Sequence, residues 1–282
     1  MVKIAGVTVL YRPDKIVVQN ILSYLDQVDK LYVVDNSEDI APCIGEELNK
    51  YKKIEYLKVF KNIGIAAALN RGAYKSIEDG FDFLLTMDQD SKASKNLIKE
   101  MAIELEKDCQ IGILAPRIIQ VQNPQISESK RLEEVITCIT SGSIVRLSVF
   151  KKIGGFEEKL FIDYVDHEYC LRMKLFGYKI LQLNSVFIYH NLGNIVLRKF
   201  FSKKVFPTNH SSLRWYYRTR NRFYIFEKYK DNFPEYVKND KIAFLKEILK
   251  ILFYEDKTIE KYKMIIRGYI DYRRNKFGKL NY

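Results

Sequence analysis

The sequence predicts an α/β fold: a mainly parallel central sheet flanked by helices on both faces, with a helical extension at the C-terminus. Three observations carry this expectation. Short apolar runs rich in β-branched residues alternate with stretches at helical spacing. The connections between runs are long enough for crossovers. Charge and aromatic content change sharply near residue 198. The 282 residues include 47 Lys+Arg and 35 Asp+Glu, a net charge of +12. Residues 198–282 alone hold 22 basic and 9 acidic residues, a net +13, with 20 of the 38 aromatics. Residues 1–197 are therefore almost neutral, and we expect two regions, 1–197 and 198–282. With 47% hydrophobic and 29% charged residues the chain can bury a core, which excludes wholesale disorder. Only 13 Gly, 6 Pro and 4 Cys exclude collagen-like, low-complexity and Cys-rich classes.

The elements follow in order. Lys3–Tyr11, K-I-A-G-V-T-V-L-Y, has the continuous apolar pattern of a buried strand. Arg12-Pro13-Asp14 breaks it, and Ile16, Val17, Ile21, Leu22 and Leu25 recur at helical spacing. Leu31–Val34 and Ile54–Phe60 are further strands. Ile65–Ile77 is Ala-rich and helical, introduced by Asn62-Ile63-Gly64. Phe81–Met87 is a fourth strand, running into Asp88-Gln89-Asp90. Leu97–Leu105 is an amphipathic helix, and Ile111–Ala115 with Ile118–Val121 form a strand region around Pro116. Residues 122–137 turn polar and predict a loop. From 213 onward helical spacing dominates, with Ile242, Leu245, Ile248/Leu249 and Leu252 on one face.

The N-terminal residues lack the basic flank, long apolar core and cleavage site of a signal peptide. No segment reaches the ~18 apolar residues of a spanning helix. Cys43, Cys109, Cys138 and Cys170 form no C-x-x-C pair, so thiols in a reducing cytosol are expected. The expected location is cytoplasmic, peripheral on the inner face of the cell membrane.

In open parallel sheets ligands sit beyond the carboxyl ends of the strands. Polar clusters fall there: Tyr11-Arg12, Asp35-Asn36-Ser37 and Asp88-Gln89-Asp90. Asp88 and Asp90 follow a wholly apolar strand, and period-two alternation puts them on one side. Two close carboxylates repel unless a cation neutralises them, and Mg²⁺ or Mn²⁺ takes oxygen ligands of this kind. A solvated acidic turn is the alternative. Asp35 is placed to accept hydrogen bonds from a nucleobase or ribose, or to serve as a turn residue. A further cluster is Asp163, Asp166, His167 and Glu168. Asp166, at the start of a helix over Val165–Leu175, suits a helix cap and a general base equally. His190 follows an apolar stretch and offers a neutral nitrogen to a metal, or a structural role. The absence of G-x-G-x-x-G, a P-loop, H-E-x-x-H and G-x-S-x-G removes support from hydride transfer, P-loop phosphoryl transfer, zinc proteolysis and Ser hydrolysis.

The ordered set V-T-V-L-Y-R-P, V-V-D-N-S, N-I-G-I-A-A-A-L-N-R-G, L-L-T-M-D-Q-D-S, S-G-S and G-G-F-E-E-K-L-F-I-D-Y-V-D-H-E-Y-C-L-R resembles family 2 inverting glycosyltransferases of the GT-A fold. It is most similar to bacterial rhamnosyltransferases of surface polysaccharide assembly, over about residues 3–225. The resemblance implies a GT-A catalytic domain over 1–197 and a nucleotide-diphospho-sugar donor. It implies nucleotide contacts from Tyr11, Arg12, Asp35, Asn62, Asn70, Arg71 and Asp88. It implies metal ligation by Asp90, with Asp88 near the ribose; Asp88 and His190 are further candidate metal ligands on their positions alone. Ser141, Gly142, Asp163 and His167 are expected near the donor or acceptor sugar, and Asp166 matches the family's general base. His167 stands where the family has an uncharged residue. dTDP-L-rhamnose is the donor the subgroup implies, with UDP-hexoses or UDP-galactofuranose next. The implied acceptor is a glycan or a polyprenyl-diphosphate-linked glycan. A haloacid-dehalogenase-type phosphatase also places D-x-D after an apolar strand, but on an early one. A non-catalytic membrane or nucleic-acid adaptor is the third reading.

Residues 198–282 interleave basic and aromatic side chains, as in Arg214-Trp215-Tyr216-Tyr217-Arg218. A solvated helical surface, a nucleic-acid surface and an anionic-membrane patch compete here. The membrane patch is the expected partner, and nucleic acid is not, since no nucleic-acid module is visible. Arg218 and Arg220 are expected to reach an acceptor or a diphosphate.

Overall fold

A computed structural model of the chain describes residues 2–39, 42–120, 130–190, 198–200, 203–205 and 209–280. The described residues form two compact units. The first comprises those of Met1–Glu158 and Val165–Asn191, the second Lys159–Tyr164 and those after Asn191.

The first unit is built on a nine-stranded sheet. Strands β1 (Ile4–Leu10), β2 (Lys30–Asp35), β3 (Ile54–Lys58) and β4 (Phe83–Asp88) pair in parallel in the order β3-β2-β1-β4. Helices α1 (Ile16–Leu25), α2 (Pro42–Leu48) and α3 (Ile65–Glu78) supply the crossovers. Every residue of β1 is buried, as a central parallel strand requires. β5 (Ser91–Ala93) and α4 (Leu97–Lys107) follow β4, then β6 (Ile111–Gln120), β7 (Leu132–Glu134) and β8 (Ser143–Arg146). The remaining elements are α5 (Leu147–Ile153), α6 (Val165–Leu175) and β9 (Lys179–His190). Val17, Ile21 and Leu25 of α1 and Leu97, Met101 and Leu105 of α4 join one core with β1, β4 and β9.

Beyond β4 the sheet adds antiparallel pairs. β8 runs antiparallel between β4 and β6, while β6 and β9 are parallel. The polar stretch 122–137 is not all loop: β7 pairs antiparallel with β9, whereas 121–129 lie outside the described residues. Pro116 does not split β6; it sits at a register shift, where the missing N–H is tolerated.

The second unit contains β10 (Arg198–Phe200), β11 (Lys203–Val205), α7 (Ser212–Tyr229), α8 (Pro234–Tyr254) and α9 (Thr258–Arg273). Ser211 caps α7 by accepting from the Arg214 N–H. Trp215, Phe244, Ile251 and Ile265 form its apolar centre. Gly268 lets α9 approach α7, since a Cβ there would lie 2.5 Å from the Tyr216 carbonyl oxygen.

Lys159–Tyr164 belong with the second unit although α6 of the first unit follows at once. The cause is polar. Asn221 donates to the carbonyls of Leu160, Ile162 and Asp163 at 2.8–2.9 Å. Arg220 donates to the carbonyls of Leu160 (3.0 Å) and Gly278 (2.8 Å). Arg222 donates to the Tyr164 hydroxyl and pairs with Asp240 and Glu247. Phe161, Asp163 and Tyr164 hold φ of 67°, 63° and 64°, each unfavourable for a side chain with a Cβ. The hydrogen bonds offset that cost.

His210 lies edge-on to Trp215 near Arg214 and Arg218. Burial first, then the two guanidinium charges, depress its pKa from 6.5 to about 4. The unfolded chain therefore takes up the proton first, so His210 supports the fold fully above pH 6.5 and loses that support towards pH 4. We predict that the thermal unfolding midpoint, followed by circular dichroism, falls across this window. His210→Gln should flatten that part of the profile.

Candidate active site

The carboxyl ends of β2, β1 and β4 set the site. Parallel register places Leu10 opposite Asp35 and Val9 opposite Asp88. Asp35 and Asp88 therefore end the two strands that flank β1, about 10 Å apart at ordinary strand spacing. The sequence expectation of polar clusters at one sheet edge is what the topology produces.

Each cluster is held by partners distant in sequence. The Asp35 carboxylate accepts from the Tyr56 hydroxyl at 2.7 Å and from the Ser37 N–H at 3.0 Å. The Tyr56 hydroxyl is pushed upward in pKa by burial and by this carboxylate, so it stays a donor. Asp35 is buried, and lone pairs remain on both of its oxygens. The Arg12 N–H donates to Ser37 Oγ, while the Arg12 guanidinium extends outward, 3.7 Å from Glu38. Asn36 and Asn62 hydrogen-bond each other and cap the turn at Ile63-Gly64 that opens α3.

Gln89 clamps the acidic turn. Its side chain accepts from the Tyr11 N–H at 2.9 Å and donates to the Tyr11 carbonyl at 3.3 Å, and Asn20 donates to the Gln89 carbonyl. Ser141 completes the clamp from below: its hydroxyl accepts from the Asp88 N–H at 3.1 Å and lies 2.8 Å from Ser91 Oγ. The sequence puts Gln89 in the strand-end cluster but gives no sign that its side chain, Asn20 and Ser91 brace the turn.

Asp90 is exposed and Asp88 half-buried at the strand end. Backbone pairing sets His190 opposite Ser91, next to Asp90, but the His190 side chain lies outside the described residues. Among the described residues no group of three or more His, Cys, Asp or Glu surrounds a metal position. The donor set of Asp88 and Asp90 nevertheless fits Mg²⁺ or Mn²⁺, which bind through one or two carboxylates and substrate phosphates rather than full protein cages. Asp166 occupies the first turn of α6 and accepts from the His167 N–H at 2.9 Å. It lines a crevice with Thr86 of β4, Thr140, Cys138 and Tyr169. His167 is half-buried beside it. A separate cavity, lined by Val2, Phe83, Leu105 and Arg146, opens at the amino end of β4 and holds none of these residues.

Several expected ligands have internal work instead. Asn70 is buried; it accepts from the Phe156 N–H and donates to the Phe156 carbonyl and to Glu158. It locks the G-G-F turn and does not stand open to a nucleotide, whereas Arg71 is exposed. Ser141 and Gly142 are buried beneath the acidic turn, not presented to a sugar. Gly142 has φ 78°, and a Cβ there would lie 2.8 Å from Pro116 and Ile188. Asp163 belongs to the second unit and accepts from Arg214 at 3.1 Å. Arg218 pairs with Glu247 at 3.0 Å. Arg220 is 1% exposed and holds carbonyls, so it is not displayed to a diphosphate.

Both the sequence and the fold match known proteins. The family model described as glycosyl transferase family 2 matches residues 7–182. The dTDP-rhamnosyl transferase RfbF of Shigella flexneri is 28% identical over 246 residues, 80% of each chain. The low-salt glycan biosynthesis hexosyltransferase Agl10 of Haloferax volcanii is 24% identical over 199 residues, 62% of each chain. Among solved structures, S. aureus TarS 1-349 in complex with UDP-GlcNAc superposes with a TM-score of 0.65 at 17% identity, covering 96% of this chain and 80% of that one. GalNAc-T7 with UDP, GalNAc and Mn²⁺ gives a TM-score of 0.63 at 14% identity, covering 84% and 49%. These structures share the GT-A fold.

Ser141→Ala removes the hydroxyl that accepts from the half-buried Asp88 N–H and bonds Ser91. We predict a loss of about 1–2 kcal/mol in stability, measured by urea unfolding.

Proposed function

The chain belongs to glycosyl transferase family 2 and is a glycosyltransferase, and we propose that it moves L-rhamnose from dTDP-rhamnose to a glycan acceptor in one inverting displacement. The observation that carries this reading is the strand register that sets Asp35 and the Asp88-Asp90 turn at one sheet edge. The rhamnose donor is supported by the likeness to RfbF across four-fifths of the chain. A haloacid-dehalogenase-type phosphatase and a non-catalytic adaptor are not favoured, since the family match spans the whole set of strand-end carboxylates.

The chemistry follows from the residues. Asp35, held by Tyr56 and Ser37, receives a base N–H on its remaining lone pairs. Tyr11 and Arg12 flank the base, and Arg71 and Asn62 lie on the nucleotide side. Asp88 and Asp90 would hold a divalent cation, whose charge offsets that developing on the leaving diphosphate. Gln89 and Ser141 fix the turn so that the two carboxylates need no reorganisation. Asp166 takes the proton from the attacking acceptor hydroxyl. Its Oδ1 is anchored by the His167 N–H, which orients the carboxylate. Attack opposite the leaving diphosphate inverts the anomeric carbon. His167, next to Asp166, is our candidate for a contact to the donor or acceptor sugar.

The acceptor we propose is a polyprenyl-diphosphate-linked glycan, met at the inner face of the cell membrane. The net charge of +13 over residues 198–282 supports that location. Among the described residues no helix is long and apolar enough to cross a membrane.

Two measurements test the reading. In thermal shift with Mn²⁺, dTDP should stabilise the protein more than UDP, GDP or CMP; stabilisation by none of them would sink the transferase assignment. Asp166→Asn should retain that dTDP shift and lose at least about a hundredfold in transfer, measured as released dTDP. Transfer near the normal rate would remove Asp166 from the role of base.

A further inference from the structure

Helix α8 carries two apolar stripes, and the fold uses one. Phe244, Ile248 and Ile251 face inward and pack with Trp215 and Ile265. Ile242, Leu245, Leu249, Leu252 and Phe253 face outward, with Leu245 61%, Leu249 54% and Phe253 66% exposed. At about 100° per residue these five fall on one strip roughly 100° wide. Single exposed apolar residues are ordinary, but five in a row on one helix face are not. Ile259, 73% exposed, continues the apolar surface across the short link between α8 and α9.

The charges on α8 are sorted by side. Its acidic residues Asp240 and Glu247 turn inward to Arg222 and Arg218. Its lysines are exposed: Lys241, its ammonium 5.6 Å from the Phe226 ring centre, borders one edge of the apolar strip, Lys246 and Lys250 border the other, and Lys238 lies one turn before Ile242. Glu235, in the first turn, is the exposed acidic side chain of the helix. A Leu/Ile/Phe strip rimmed by lysines is the pattern of a helix lying in a membrane interface, with ammonium groups reaching the headgroups. The corner is tied by side chains: Glu255 in the α8–α9 link is buried, pairs with Lys261 at 2.9 Å and accepts from the Asn209 N–H at 3.1 Å.

We propose that the outer face of α8, with Ile259 at the α8–α9 corner, is the surface by which this protein docks on an anionic lipid bilayer. Arg218, Arg220 and Arg222 of α7 are not that surface: Arg220 and Arg222 are internal, and Arg218 is paired with Glu247. Charge decides between a bilayer and a second copy of the chain. Two copies joined through this strip would bring their lysine rims together, whereas anionic headgroups neutralise them. The assignment rests on the membrane location proposed above and names the face that meets it.

The test is co-sedimentation of the full chain with phosphatidylcholine vesicles and with phosphatidylcholine–phosphatidylglycerol vesicles, at low and high salt. The wild-type chain should bind the anionic vesicles and be weakened by salt. Leu249→Ser/Phe253→Ser should lower the affinity at least about tenfold. Lys246→Glu/Lys250→Glu should remove most of the preference for anionic vesicles. All four side chains are exposed, so both variants should keep the wild-type unfolding midpoint and the dTDP thermal shift. Unchanged vesicle binding by both variants would overturn the assignment of this face. Absence of wild-type binding would overturn the membrane location itself, while the dTDP shift reports on the transferase reading separately. A concentration-dependent dimer in analytical ultracentrifugation, lost in Leu249→Ser/Phe253→Ser, would give the face to a second copy and overturn the proposal.

Discussion

The site depends on one constraint, the parallel pairing of β1 between β2 and β4. β1 is buried from end to end, so its register against both neighbours is fixed by packing as well as by hydrogen bonds. A slip of one residue would turn Val7 and Val9 together to the opposite face and move Asp35 and Asp88 out of line with the end of β1. The apolar core therefore does chemical service at a distance: it decides where two carboxylates emerge. The polar clamp through Gln89, Asn20 and Ser141 only refines a position that the core has already chosen.

The same division explains what could be read from the chain. Strands such as Ile4–Leu10 and Phe83–Asp88 are announced by local composition, and the carboxylates just past them are announced by the strands. The parallel half of the sheet was legible for that reason. The other half was not. Nothing local in Ser143–Arg146 tells that it runs antiparallel between β4 and β6, because direction is set by the path of the chain and not by the residues.

Within the site, several of the expected ligands share one physical trait. Asn70, Ser141 and Arg220 are polar residues beside recognisable motifs, and such residues look like ligand contacts when the sequence is read alone. Each instead satisfies buried backbone groups 50 to 90 positions away: Asn70 those of Phe156, Ser141 that of Asp88, Arg220 that of Leu160. Buried N–H and C=O groups must find partners, and a fold with tight turns around its site needs side chains to supply them. The basic character of α7 misled in the same way. Positive charge in a sequence suggests a surface, but Arg222 neutralises Asp240 and Glu247 inside the unit.

Residues 159–164 give the C-terminal region a hold on the middle of the chain. The three left-handed residues there are kept in place by Asn221 and its neighbours on α7. The linear order of the chain and the order of its structural units therefore disagree. A chimera that exchanges everything after residue 197 for the tail of a relative would separate six residues from the side chains that shape them. Inheritance by recombination meets the same obstacle: the helical region and the hexapeptide ahead of α6 travel as one unit or lose their fit.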